Sequence, residues 1–405
     1  MSTIEPEAQV PDDDDLRIAC LREGVRDAKE GRLDDAEARF REVLASVRDS
    51  GRKSERLAVS SLLTLFAHEG RDVEALILAR RHVALAKSGG DPEDLCFAYA
   101  AITDALKRLE DWRRLDDALA DLERSLDAYA GPHAPELRRH MLRTRVRREL
   151  ARGDVAAAGA ALTRIHELDA KGHGDGDFEH ASRMCEAEVG LAAGRPDRAR
   201  AALSHIPAET ATFEAEFLSA RCALAIEGPN AAIGILGRVV EALESPDAQK
   251  DGVAARLSVT RRAAQMAGHI GAPTELTTRA FELAAAMVLL RGSEIERAAR
   301  EMPELAVVEP QDARALAAYR IRFASEQKDL LAAVAALLRR RAAAGDLPSW
   351  APAAADGGMR ICPWCLRVRA PDGAMLPVGH YLPSGTGLAV EHAVCDACEA
   401  RRVPA

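Results

Sequence analysis

Four cysteines toward the C-terminal end carry the strongest chemical signal in the chain. They stand as Cys362-Pro363-Trp364-Cys365 and Cys395-Asp396-Ala397-Cys398, with 29 residues between the pairs. Two thiolates three positions apart reach one ion from a single turn, and the backbone N–H groups of that turn bond to the sulfurs. Two such turns complete a tetrahedral four-sulfur sphere suited to Zn2+. A sphere closed by Cys362, Cys365, Cys395 and Cys398 has no open position, so the expected role of the zinc is structural. His392, three residues before Cys395, is a further possible donor that four thiolates make unnecessary. Residues 359–402 are too few to bury a core that folds alone. Metal binding worth about 10–16 kcal/mol in small zinc peptides makes up that shortfall. The competing chemistry is dithiol redox, since Cys-Pro-Trp-Cys has the spacing of an oxidoreductase pair. Such pairs open a helix after a strand. Here the intervening segment is turn-rich, with Gly373, Pro377, Gly379, Pro383, Gly385 and Gly387. Oxidation of the clustered thiolates with release of zinc is a second role open to the same residues.

A second cluster is basic. Residues 136–152 hold Arg138, Arg139, His140, Arg143, Arg145, Arg147, Arg148 and Arg152. Arg143 and Arg147 are four apart and share a helical face with His140. Side by side, two guanidinium groups can clamp a carboxylate or phosphate of a partner's acidic segment, or of the chain's own acidic start. The plainer reading is a solvated basic face matched by Glu149 and nearby acids. The run Lys171-Gly172-His173-Gly174-Asp175-Gly176-Asp177 lacks the terminal acid of a calcium loop and reads as a connection. The chain has no nucleophile elbow, phosphate loop or His-Glu-x-x-His. No acid, base and nucleophile converge, so the expectation is a protein that is not an enzyme.

The elements that position these groups are helices. Alanine, leucine, arginine and glutamate dominate, and aromatics make up only 4%. One pattern recurs: a glycine turn, alanine five residues later, and a second apolar residue four after that. Gly31, Ala36 and Phe40 fit it, as do Gly153, Ala158 and Leu162, and Gly194, Ala199 and Leu203. Gly70 and Ala75 fit with Ala79. A small residue lets two helices approach, the larger residue fills the groove beside it, and glycine caps the first helix. The unit over 91–130 is degenerate, with Trp112 and Leu115 at its turn. The next to last uses Gly228-Pro229, and the last breaks at Gly271 to Pro273. Six or seven helix pairs result. This resembles the tetratricopeptide repeat over residues 16–300, with units of 39 and 41 residues against the usual 34 or so. The expected fold is all-α: a helical-hairpin solenoid followed by a small zinc-ribbon-like module. The resemblance implies a concave groove, lined by the first helix of each pair, that takes up protein or peptide partners.

Before the solenoid, residues 1–15 form an acidic tail with Pro6, Pro11 and four consecutive aspartates. After it, Pro303 and Pro310 bracket a break. A long helix over 312–344 then carries Leu316, Tyr319, Phe323, Leu330 and Leu338, expected to pack on the last helix pair. Residues 345–358 read as a linker.

The cysteine module is similar to a C-terminal tail of bacterial signalling proteins that carry receiver, PAS or histidine-kinase parts. The likeness rests on Ile361-Cys362-x-x-Cys365, Val368-Arg369, Gly373, Tyr381-Leu382 and His392-Ala393-Val394-Cys395-x-x-Cys398. It departs at Met375, Glu391 and Ala393, where the tail has Trp, Ser and Gly. It implies a regulatory setting and no particular reaction.

The chain has 405 residues and a net charge of −9, with 48% apolar and 29% charged residues. The acidic balance excludes broad coating of nucleic acid. In the module itself Arg367, Arg369, Arg401 and Arg402 are offset by Asp372, Glu391, Asp396 and Glu399. The longest apolar run, Leu283 to Leu290, is too short to cross a bilayer, and the start lacks the features of a signal peptide. The expectation is a cytoplasmic adaptor, scaffold or regulatory protein that binds a protein or peptide partner through its groove. The alternative is a nucleic-acid-linked regulator or a thiol/zinc redox sensor using the C-terminal module.

Overall fold

The computed structural model describes residues 13–47, 53–170, 176–207, 212–244, 252–305, 314–322 and 325, together with four three-residue strands. Among the described residues fourteen helices pair into seven consecutive hairpins. They are α1 (Asp13–Lys29) with α2 (Leu33–Ser46), α3 (Lys53–Glu69) with α4 (Asp72–Gly89), and α5 (Pro92–Arg108) with α6 (Trp112–Ala128). Then come α7 (Ala134–Ala151) with α8 (Val155–Asp169), α9 (Gly176–Ala192) with α10 (Pro196–Leu203), α11 (Phe213–Ile226) with α12 (Pro229–Glu244), and α13 (Gly252–His269) with α14 (Thr274–Leu305).

The glycine turns work as backbone devices. Gly31, Gly70, Gly153 and Gly194 have φ between 68 and 80°, the left-handed region where a Cβ is costly. Gly31 N–H donates to Ala28 O while Arg32 N–H donates to Asp27 O. The same pair of bonds recurs at Gly70 and Arg71, at Gly153 and Asp154, and at Gly194 and Arg195. This Schellman arrangement closes the first helix. The residue after the glycine then accepts the first bond of the second helix, as Arg32 O does from Ala36 N–H. One turn therefore ends one helix and starts the next.

Five positions after the turn, Ala36, Ala75, Leu115, Ala158 and Ala199 are fully buried. Nine positions after it, Phe40, Ala79, Leu119, Leu162 and Leu203 are buried too. The degenerate third hairpin obeys the same spacing with Leu115 in the alanine slot. Its turn has no glycine: Glu110 takes the left-handed position at φ 54°. Burying each of the larger side chains contributes about 1.5–3 kcal/mol.

The array is not an open ribbon. α14 runs 32 residues, about 48 Å, through the break expected near Pro303. Its first half packs with α11–α13 in one core, through Ala280, Leu283 and Met287. Its second half, through Ile295 and Ala298, joins the core of the N-terminal hairpins. Leu316 and Tyr319 of the helical segment 314–322 are buried in that same N-terminal core. The segment, expected to pack on the last hairpin, shares this core with Ile295 and Ala298 of α14 and with the N-terminal hairpins. Tyr319 Oη donates to Asp111 at 2.7 Å and Arg114 Nη1 donates to Tyr319 at 3.2 Å, so the segment seats on the α5–α6 turn.

The C-terminal strands are β1 (Met359–Ile361), β2 (Arg367–Arg369), β3 (Met375–Pro377) and β4 (Val390–His392). They form one sheet in the order β3-β2-β1-β4. The β1–β2 and β2–β3 pairs are antiparallel, while β1 and β4 run parallel with Ile361 opposite His392. β4 lies against α14. Among the described residues no helix is long and apolar enough to span a membrane.

Candidate functional site: a cleft on the concave face

The first helices of hairpins two, three and four line a cleft of about 430 Å³. α3 contributes Leu63 and Ala67, α5 contributes Phe97, Ala100 and Asp104, and α7 contributes Leu137, His140 and Arg143. These positions follow helical spacing, three to four apart, so one face of each helix looks into the cleft. The wall is apolar where Phe97 stands and polar at its floor. Phe97 is unusually exposed for a phenylalanine, at 38%. Its ring meets His133 edge-on with centroids 5.7 Å apart.

The floor is a compact charge network. Lys107 donates to Asp104 at 2.5 Å, and His140 Nε2 stands 3.8 Å from the other oxygen of Asp104. Burial works to raise the Asp104 carboxyl, but Lys107, His140 and Arg108 outweigh it and hold the group well below the usual carboxylate range. His140 moves the other way from a normal histidine: burial depresses it, and the pull of Asp104 only partly restores it. Thr103 donates its single hydroxyl hydrogen to Ala100 O at 2.7 Å. Its contact with His140 Nε2 at 3.3 Å must then be one in which it accepts, so Nε2 carries the proton. His82 of α4 is also in the wall and is only 4% exposed. Its Nδ1 has no hydrogen-bond partner among the described residues, and burial pushes its pKa down as well. Both imidazoles are therefore neutral at pH 7.

The arginine-rich helix separates into roles. His140 and Arg143 line the cleft, and burial lowers the Arg143 guanidinium from its ordinary value. Arg147 does not join them there. It pairs with Glu188 of α9 at 3.4 Å, which raises its pKa. Around them Arg139 pairs with Asp169, Arg145 with Glu123, and Arg148 with Asp116 and Glu149. Most of the basic run is thus matched by acids on neighbouring helices. The spacing of His140, Arg143 and Arg147 gave one face, but only the superposition of neighbouring hairpins decides which of them meets an acid. Asp104, His82 and Phe97 were not singled out from sequence. No local motif marks them, and they converge from two helices, α4 and α5.

Of the lone cysteines, Cys96, Cys185 and Cys222 are buried and Cys20 is half-buried. Burial pushes Cys96 and Cys185 up to about 11, which makes them unreactive thiols at neutral pH. Cys362, Cys365, Cys395 and Cys398 lie outside the described residues. The strands beside them do not: β1 ends one residue before Cys362, β2 begins two after Cys365, and β4 ends three before Cys395. Because β1 and β4 are parallel neighbours in register, the chain leaves both at the same end of the sheet. Among the described residues no group of His, Cys, Asp or Glu could hold a metal. No protein-family model matches the chain, and neither does any curated protein.

Proposed function

We propose that this protein is a cytoplasmic adaptor or scaffold whose concave cleft holds a segment of a protein partner, and that it binds without catalysing. The observation that carries this reading is the cleft itself. An exposed Phe97 and small flanking residues Ala100 and Ala101 offer an apolar seat. Arg143, Arg108 and Asp104 beneath it offer charged hydrogen-bonding groups of both signs. A partner side chain that is apolar at one end and polar at the other matches that division. The neutral His140 and His82 donate or accept single hydrogen bonds. The hydroxyl beside His140, that of Thr103, already donates its hydrogen to Ala100 O.

The C-terminal module is part of the same proposal. Cys362, Cys365, Cys395 and Cys398 would hold one structural Zn2+. The parallel β1–β4 pair supports this, since both strands end on the same side of the sheet and each is followed within three residues by a cysteine pair in sequence. The metal would tie the two ends of residues 359–402 together and supply the stability that its short strands do not.

Partner capture with the intact chain tests the cleft. Phe97→Ala and Arg143→Glu should each lower partner recovery at least tenfold, whereas Arg124→Glu on exposed surface of α6 should not. Equal recovery by all three variants would remove the cleft from the function. Zinc content tests the module: one zinc per chain is expected, and none in the Cys395→Ser, Cys398→Ser variant.

A further inference from the structure

In an open solenoid each repeat touches only its neighbours. Here the seventh hairpin returns to the second and third. Arg291 of α14 donates to Gly70 O, 221 residues away in sequence, and its Nη2 stands 2.6 Å from Asp72. Arg261 of α13 pairs with Glu110, and Arg322 donates to Leu109 O. The three loci touched are the α3–α4 turn, the α5–α6 turn and the first residue of α4. In sequence they follow closely on Ala67 and Arg108, two of the residues that line the cleft.

Asp72 is the joint between closure and cleft. Its side chain is fully buried. One oxygen accepts from Arg108 Nε at 2.5 Å, and the other faces Arg291. Arg108 in turn helps to hold the charge of Asp104 on the cleft floor. A buried carboxylate shared by two arginines cannot lose one without a change in how it holds the other. We propose that α14 and segment 314–322 act as a strap that gates the cleft: seated, it closes the solenoid into a ring and fixes Arg108. Released, it frees that end of the concave face for a partner. This deepens the groove-binding reading and rests on it for its biological meaning, while the closure itself does not.

The strap has the features of a releasable contact. Its anchoring residues Arg291, Arg322 and Tyr319 act mainly through hydrogen bonds and ion pairs to turns, and Arg261 of the neighbouring α13 adds a pair to Glu110. Among the described residues its apolar part consists of Ile295, Ala298, Leu316 and Tyr319, with the partly buried Ala315, in the N-terminal core. The first half of α14 keeps its own separate core when the second half lets go.

The test uses the full chain as Arg291→Met, which keeps the length of the side chain and removes its charge. A gentler variant, Arg322→Ala with Tyr319→Phe, touches only the 314–322 contacts. Amide hydrogen exchange, small-angle scattering and binding of the apolar dye 1-anilinonaphthalene-8-sulfonate are read on each without any partner. The expected result is a larger radius of gyration and roughly tenfold faster exchange in 291–305 and at the start of α4. Exchange in α1, α2 and α8 should be unchanged. Dye binding should rise, and that rise should vanish when Phe97→Ala is added. An unchanged radius and exchange in both variants would overturn the strap. So would a uniform rise in exchange over the whole chain, because closure would then be inseparable from global folding. A dye increase that survives Phe97→Ala would overturn gating of the cleft. If the strap opens as expected but Phe97→Ala leaves partner capture intact, the ring stands and the groove-binding reading falls.

Discussion

Single residues decide how each hairpin turns. Glu110 holds a left-handed backbone that its counterparts give to glycine, at a cost of roughly 1–2 kcal/mol for a residue with a Cβ. It is retained at a position where it also pairs with Arg261, and both side chains of that pair are about a third exposed. In an Arg261→Ala background, where the pair is already gone, Glu110→Gly should raise stability by about 1 kcal/mol in urea denaturation. Gly24 shows the opposite constraint. A Cβ there would sit 2.5 Å from Phe40 Cε1, so Gly24→Ala should destabilise by about 1–3 kcal/mol. Gly159, inside α8, has nothing within 4 Å of an added Cβ, and Gly159→Ala should stabilise by about 0.4–1 kcal/mol. Thermal melts of the two alanine variants should move in opposite directions. The imidazoles give a pH dependence. His82 and His140 have folded pKa values below the ordinary 6.5, so the unfolded chain binds more protons as pH falls. Stability is full above about pH 6.5 and is lost progressively below it. Between pH 7 and 5 the urea midpoint should fall, and a His82→Gln, His140→Gln variant should flatten that slope.

At the scale of elements, the hairpin was the legible unit. A glycine turn with alanine five residues later could be read because both are local consequences of backbone geometry. The third hairpin escaped the glycine rule because a charged residue occupies the left-handed position, which no composition signal announces. α14 was read short for a related reason. Beyond Leu290 the sequence turns highly charged, and the buried stripe of Arg291, Ile295 and Ala298 hides among arginines and glutamates. Adjacent hairpins are also joined by ions that no spacing foretells. Arg71, 2% exposed, lies 3.6 Å over the Phe66 ring and pairs with Glu74 and Glu37. Burial favours its neutral form, but Glu74 and Glu37 outweigh that and raise its pKa. Arg71→Met removes the nearer cation from the buried Glu74, leaving Arg297 at 3.8 Å, and should cost up to about 3–5 kcal/mol. Arg71→Met with Glu74→Leu should recover part of the loss in a double-mutant cycle.

The molecule as a whole was the least legible. The consecutive pairing of helices could be foreseen from the repeats, but the return of the last hairpin depends on residues 151 to 221 positions apart. A contact of that kind leaves no period in the sequence. The same is true of the cleft, whose lining is assembled from α3, α4, α5 and α7. Closure changes how damage spreads. In a nearest-neighbour array a defect in the last hairpin would loosen α11 and α12 first. Here Ile295→Asn should reduce hydrogen-exchange protection in α4, five hairpins earlier in the array, and leave α9 and α10 nearly untouched.

Closure also bears on how such a chain can change length over generations. An open array accepts another hairpin wherever one is duplicated, since each unit asks only for a neighbour on either side. In this ring one more hairpin between α6 and α13 would rotate Arg291 away from Asp72 and Arg322 away from Leu109. The number of hairpins from the second to the seventh is then not arbitrary but the count at which the last returns to the second, and duplication or loss of a unit among them would be selected against as sharply as a mutation in the core.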